Sequence, residues 1–407
     1  MLRFLTAGES HGMALAVIVE GLPAGLSLTA AEIEEELARR RLGFGRGPRM
    51  RFEVDKVTIL AGIRHERTLG SPLAVEIANT EWPKWSEEMS PGPGSASKPL
   101  TKPRPGHADL AGMQKYGFSD ARNVLERASA RETAARVVAG CAAKALLARL
   151  GIGVVSHVVA IGDESAPSSS RPLPDDLSAV DSSPVRCLDV AASERMVACI
   201  KAAAKDGDSL GGVAEVLAYG VPPGLGSYVH WDRRLDALVA QALMSIQAVK
   251  AVEIGDGVSS AALRGSVAHD AIAWDAASGE FHRRTDHAGG IEGGVSTGGL
   301  ISARAFMKPL ATLNRPVLET VDTETKEPAL SFKERTDVTA VPAMGVVAES
   351  MLALVLASEA LRKFGGDSVV EVVANCRSFI ERLSEPLAGP VTERGSDPGE
   401  PPSRAQA

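Results

Sequence analysis

The sequence predicts an α+β fold in which a layer of helices lies between antiparallel sheets. Three observations carry that expectation. Short β-branched runs place polar residues at alternate positions, as strands with one wet face do. Helices with readable ends stand between these runs, rich in Ala and apolar over much of their surface, which suits a layer buried on both sides. The chain is also long enough, at 407 residues and 44% hydrophobic, to close a core of several layers.

The strand signals fall at 14–20 (ALAVIVE), 54–60, 73–78, 153–161 and 213–219. The first helix opens at Thr29, which forms a capping box with Glu32, with Leu28 and Ile33 as a hydrophobic staple and Gly43 beyond its end. Ser129 and Glu132 read as a second capping box, opening ETAARVVAGCAAKALLARL, which Gly151 closes. Asp232 is placed to cap 233–248, and a helix over 344–364 ends in Lys363 and Gly365. Residues 89–106 and 163–184, rich in Pro and Ser, read as loops. One domain over 1–383 is expected, followed by a disordered polar tail over 384–407.

Charge and composition exclude several functions. With 44 Lys and Arg against 51 Asp and Glu, the net charge of -7 argues against a nucleic-acid partner. No apolar run in the sequence approaches the ~18 residues of a membrane span, and Glu9 and His11 interrupt what would be the core of a signal peptide. Cys141, Cys187, Cys199 and Cys376 are far apart, with no CxxC pair and no His at ligand spacing. That pattern suggests neither a disulfide framework nor a metal site and fits a reducing cytoplasm.

Several segments carry chemistry. GESHG at 8–12 matches the GxSxG nucleophile elbow of serine hydrolases, but a strand-like run follows Ser10 where the elbow needs a helix. The other reading puts Ser10 and His11 on a hairpin-like loop facing a polar pocket, where His11 is a proton donor. In RRRLGFGRGPRM, Arg40 lies near the stripe set by Ile33 and Leu37, so it points toward a core and demands an anion. Arg46 and Arg49 follow on a Gly-flanked loop. A solvated basic face paired with Glu34 to Glu36 would explain the same residues. In KPRPGHAD, Pro103 and Pro105 stiffen the segment that holds Arg104 and His107. The helix start near Ser129 favours an anion, with Arg127 and Arg131 adding charge. AGGIEGGVSTGG at 288–299 lets backbone approach a ligand and Lys308 follows it, but no dinucleotide fingerprint is present. In ERTDVTAVP, Arg335 and Asp337 share one face of an extended segment, which favours a charged carboxylate and a weak base.

Taken together, GESHG, RRRLGFGRGPRM, TLGSPLAVEIAN, RPGHADLAGMQKY, ARNVLERASARETAARVVAG, GDSLGG, MSIQAVKAVEIGDG, AGGIEGGVSTGG, FMKPLATL and RTDVTAVP closely resemble chorismate synthase, in family order over about 1–370. The resemblance implies a β-α-β sandwich, usually a cytoplasmic homotetramer. It also implies a lyase of aromatic amino-acid biosynthesis: trans-1,4-elimination of phosphate from 5-enolpyruvylshikimate 3-phosphate to chorismate, with reduced FMN (FMNH2) although the net reaction is redox-neutral. By position, Arg127, Ala128, Ser129, Gln247, Ala248, Gly293, Lys308, Pro309, Leu310, Ala311, Thr312 and Arg335 would contact FMN. Arg40 and Arg46 match positions that serve NADPH in the family, though a substrate role is favoured here; Ser10, Arg49, Arg104 and Arg131 would join them around the small anionic substrate. His11 would protonate the departing phosphate, His107 would give a proton to the reduced flavin, and Asp337 would help remove the ring proton. The nearest other enzyme is a flavin reductase using NADPH; some members reduce their own FMN and others depend on an external reductase. Glu66, Ala61, Thr297, Val338 and Thr339 depart from the family's usual Gly, Ser, Asn and Pro-Cys.

Overall fold

A computed structural model describes residues 2–47, 54–277, 279–332 and 336–384. The first sheet holds β1 (Arg3–Ala7), β2 (Ala14–Glu20), β3 (Val57–Ala61) and β4 (Leu73–Ala78), in the order β1-β2-β4-β3 and antiparallel throughout. Alternation decides its faces: Leu15, Val17 and Val19 of β2 and Leu73, Val75 and Ile77 of β4 are buried, while Ala16, Ile18 and Glu20 point outward. The second sheet is also antiparallel. It holds β5 (Gly153–Ile161), β6 (Glu164–Ser165), β7 (Gly212–Tyr219), β8 (Val249–Ile254) and β9 (Ile301–Met307), in the order β8-β9-β7-β5-β6.

Helices fill the space between. The main helices are α1 (Ala30–Arg40), α2 (Asp109–Tyr116), α3 (Arg122–Ala128), α4 (Thr133–Arg149), α5 (Val190–Asp206), α6 (Leu235–Met244), α7 (Val341–Phe364) and α8 (Val369–Glu381), of which α1, α4, α6 and α7 make up the layer between the sheets. The first sheet packs on α4, the second on α7, and the two helices pack on each other with α1 beside both. This is the expected sandwich, and one hydrophobic core runs through all its layers. Gly140 sets the helix-to-helix distance, since a Cβ there would lie 2.2 Å from Ser350 Cβ and 2.6 Å from its Cα. Alanine is the better helix former by about 1 kcal/mol, yet neither helix can retreat from a sheet at its back. Gly140→Ala is therefore expected to cost about 1–3 kcal/mol by overpacking. A urea midpoint that rose instead would contradict this packing argument.

Several expectations need correction. Thr29 and Glu32 do form the capping box, but Ser129 caps only a 3-10 turn, Ala130–Glu132, by accepting from Arg131 N. Glu132 turns away to Thr6, Arg136 and Gln247, whose charge and hydrogen bonds are a stronger attraction than a backbone N–H. Asp232 does not cap α6, because its carboxylate is taken by His230 at 2.8 Å. Strands β1, β6, β8 and β9 and helices α2, α3, α5 and α8, the last with its own capping box of Ser368 and Glu371, were not anticipated. The expected loop over 163–184 contains β6 and a short helix, Leu177–Ser182. Helix α7 is long and apolar enough to cross a membrane, contrary to the expectation from the sequence, but 89% of that stretch is buried between the sheets. The expectation for 385–407 lies outside the described residues.

Candidate active site

A cleft of about 760 Å³ opens where the turn between β1 and β2, the segment 104–108, the α3–α4 junction, residues 246–248 after α6, the segment after β9 and the start of α7 meet. Leu125, Ile246, Met307, Ala343, Met344 and Val347 give it apolar walls. Ser10, His11, Arg40, Arg46, Arg104, His107, Arg131, Lys308 and Asp337 supply its polar groups.

His11 sits on the turn that joins β1 to β2. Its Nδ1 lies 3.0 Å from both carboxylate oxygens of Glu126, and its backbone N–H donates to the same group at 2.9 Å. Burial pushes the Glu126 carboxyl up, but hydrogen bonds and charge from His11, with the charge of Arg122, outweigh it and hold the group below the usual carboxylate range. An ionised carboxylate only accepts, so Nδ1 carries the hydrogen and Nε2 is turned away from Glu126. The indole of Trp85 lies 4.3 Å from the imidazole, centroid to centroid.

His107 is held in a similar way. Its Nδ1 meets Asp109 Oδ1 at 2.5 Å, and Asp109 is completely buried at the start of α2. Burial raises the Asp109 carboxyl, but His107 and Arg104 more than reverse this and leave it far below the ordinary range. Arg104 donates through Nε to Asp109 at 2.8 Å and through Nη1 to Thr312 at 2.9 Å, so one guanidinium ties the His107 segment to the strand-end segment after β9. Lys308 donates to Gly106 O at 2.8 Å, and its burial, with Lys250 nearby, lowers its pKa.

Arg49 and Arg335 lie outside the described residues, which do include Asp337. Its Oδ1 accepts from Gly47 N at 2.6 Å and its Oδ2 lies 3.1 Å from Arg46 Nε. The glycines of GFGRG permit this approach: Gly45 has φ of 87°, and a Cβ there would lie 2.8 Å from Ile200 Cγ2. Arg40, only 4% exposed at the end of α1, lines the cleft as its helical position beside Ile33 and Leu37 implied. The solvated-face explanation fails for Arg39 too, which is buried and pairs with Glu36 and the fully buried Glu349.

Not every expected residue gathers here. Arg131 lines the cleft, but its guanidinium is bound to Asp55 and Asn79. Arg127, at the end of α3, bonds to the carbonyls of Thr6 and Gly8 and faces an adjoining hollow of about 420 Å³. Gln247 borders both spaces. Ala128, Ser129, Ala248, Leu310, Ala311 and Thr312 line the cleft, whereas Pro309 is exposed beside it. Gly293 is not brought in. It tips a hairpin bonded at Gly294 to the start of α6, while Gln247 follows the far end of that ten-residue helix, about 15 Å away at 1.5 Å per residue. Sequence reasoning missed Glu126 and Asp109. Asp109 stood two residues from His107 in a motif already noted, but no local signal joins His11 to a carboxylate 115 residues away.

Other features bear on the alternatives. Ser10 lies in a turn between antiparallel strands with no helix after it, so the hydrolase elbow is absent and the hairpin-loop reading describes the segment. Glu66 is exposed at a hairpin tip with φ of 60°, a conformation that favours glycine, and it adds no charge to the cleft. Val338 and Thr339 are buried, and Val338 bonds through its backbone to Gly45 and Leu210.

Known proteins share this fold and much of this sequence. The sequence model of a family described as chorismate synthase matches residues 2–361. The chorismate synthase of Thermobifida fusca (strain YX) is 58% identical over 393 residues, 94% of this chain and 99% of the relative. That of Leifsonia xyli subsp. xyli is 57% identical over 406 residues, 98% of this chain and 100% of the relative. A solved structure titled "Crystal Structure of Chorismate Synthase" superposes with a TM-score of 0.76 at 39% identity, covering 94% of this chain and 98% of that one. A family match over nearly the whole chain, relatives of equal length and a shared fold give one conclusion: the chain belongs to the chorismate synthase family and is a phosphate-eliminating lyase.

Proposed function

We propose that this cleft converts 5-enolpyruvylshikimate 3-phosphate to chorismate and phosphate, with reduced FMN bound beside the substrate. The convergence of His11, His107 and Asp337 with Arg40, Arg46, Arg104 and Lys308 on one cleft carries the reading. The donor set fits both ligands. The substrate has two carboxylates and a phosphate and FMN has a further phosphate, so burying them requires the cations present. The apolar side chains of Leu125, Ile246, Met344 and Val347 suit the flat ring system of a flavin. Lys308, Leu310, Ala311, Thr312, Ala128, Ser129, Gln247 and Ala248 would hold FMN, and Arg40 and Arg46 the substrate's anions.

When bound, reduced FMN supplies electron density that eases rupture of the allylic C–O bond. The chain's own residues manage protons and charge. His11, held through Nδ1 by Glu126, delivers the proton at Nε2 to the phosphate as it leaves with the bonding pair. His107, oriented by Asp109, holds a proton beside the flavin. Asp337 helps to take up the ring proton, and Arg46 and the Gly47 N–H hold its carboxylate in place. Residues 1–383 would act as one domain, in a cytoplasmic homotetramer.

An anaerobic assay tests the reading. Chemically reduced FMN with the enolpyruvyl substrate is expected to yield phosphate and chorismate in equal amounts, and no product would overturn it. Oxidised FMN with NADPH is expected to give none without an external reductase, because Arg40 and Arg46 are assigned to substrate. Turnover under that condition would reassign them to NADPH.

A further inference from the structure

We propose that Glu126 is a positioning residue for the elimination: it fixes the ring orientation and tautomer of His11 so that Nε2 carries the proton delivered to the leaving phosphate. The inference rests on the reading of His11 as general acid and adds to that reading a residue for which no role has been assigned.

The geometry is specific. Glu126 is 2% exposed and lies on α3, while His11 is on the turn between β1 and β2. One carboxylate receives both the backbone N–H of His11, at 2.9 Å, and its ring Nδ1, at 3.0 Å. A third contact locks the same pair of segments, because Ser10 N donates to Glu126 O at 3.0 Å. The turn is thus anchored to α3 through main chain and side chain together, leaving the imidazole little rotational freedom. Arg122 holds the carboxylate from the other side, with Nη1 3.0 Å from Oε1. Its guanidinium lies 4.8 Å from the centroid of Trp85, and the same indole packs on His11. The four side chains form a connected set in which flipping the ring breaks its hydrogen bond to a charged group.

The chemical consequence concerns the proton that stays. When Nε2 gives its proton to the departing phosphate, the neutral imidazole left behind must keep a hydrogen on Nδ1. Glu126 accepts that hydrogen before and after the transfer. No proton has to relocate on the ring and no hydrogen bond has to be remade during the step.

A double-mutant cycle tests this, with anaerobic turnover at saturating reduced FMN as the readout. Glu126→Ala is expected to lower kcat about 10–100-fold with KM within about threefold. Glu126→Gln, whose amide oxygen still accepts from Nδ1–H, is expected to recover most of that loss. Placed on His11→Ala, Glu126→Ala should cause no further fall in kcat, because the group it orients is gone. A damaged fold would behave otherwise, multiplying with His11→Ala and not being rescued by glutamine. Full effects of Glu126→Ala on the His11→Ala background, or a Glu126→Ala enzyme with unchanged kcat while His11→Ala is impaired, would overturn the positioning role alone. A His11→Ala enzyme with nearly full kcat would instead overturn the general-acid reading on which it rests.

Discussion

His11→Ala is expected to lower kcat by about 10²–10⁴-fold, the range that general acids typically contribute, while KM changes little. The effect falls on kcat because the phosphate gains negative charge only as the C–O bond breaks, so a proton donor matters most in the transition state. Substrate anions in the ground state are met by the cations of the cleft, which the substitution leaves in place. Phosphate release in a single anaerobic turnover with reduced FMN separates this from slow product departure. Turnover within a few-fold of the parent enzyme would end the general-acid assignment.

The second large effect concerns stability. Glu349, fully buried on α7, accepts from Arg39 at 2.8 and 3.0 Å, Lys144 at 2.6 Å, Arg186 at 3.1 Å and both the N–H and hydroxyl of Ser156 at 2.9 and 2.7 Å. Those partners lie on α1, α4, the segment before α5 and β5, so one carboxylate joins the helical layer to the second sheet. Glu36 and Asp181 complete the cluster, balancing Arg39, Lys144 and Arg186 with three carboxylates. Glu349→Gln keeps the shape but leaves one buried positive charge uncompensated. It is expected to destabilise by about 3–5 kcal/mol, read as a fall in the denaturant midpoint; a midpoint unchanged within error would show that the cluster is not needed for the fold.

The same carboxylate sets a pH dependence. Burial raises its pKa, but the charges of Arg39, Lys144 and Arg186 and the hydrogen bond from Arg39 outweigh this and leave it well below the ordinary value of 4.5. A depressed folded-state pKa means that the unfolded chain binds the proton more readily. The contribution of Glu349 is therefore fully present above about 4.5 and is lost as pH falls from there toward its folded-state value.

How far the sequence went is clearest at particular residues. The strand limits at Ala14–Glu20 and Leu73–Ala78 and the capping box at Thr29 were legible, because alternation and capping operate within a few residues. The glycines of GFGRG and the prolines around His107 likewise marked loops that line the cleft, at Gly47 and at His107. Ser129 with Glu132 misled for a physical reason: a matching spacing says nothing of competing partners, and Arg136 and Gln247 drew the glutamate away. Strands such as β8 and β9, with Lys, Glu and Arg among their residues, gave too weak an alternation to stand out alone.

By itself, then, the sequence determined the strongly alternating strands, the Thr29 cap and the set of motifs that places the chain in its family. The tertiary structure alone decided which charges meet. It put Glu126 against His11 and Glu349 among three cations, and it brought Arg40, Arg46, Arg104 and Lys308 to one cleft while turning Arg127 to an adjoining hollow. The reason is range: backbone preferences and hydrophobic period depend on near neighbours, whereas an ion pair exists only after folding has brought distant segments to hydrogen-bond distance and removed the water between them.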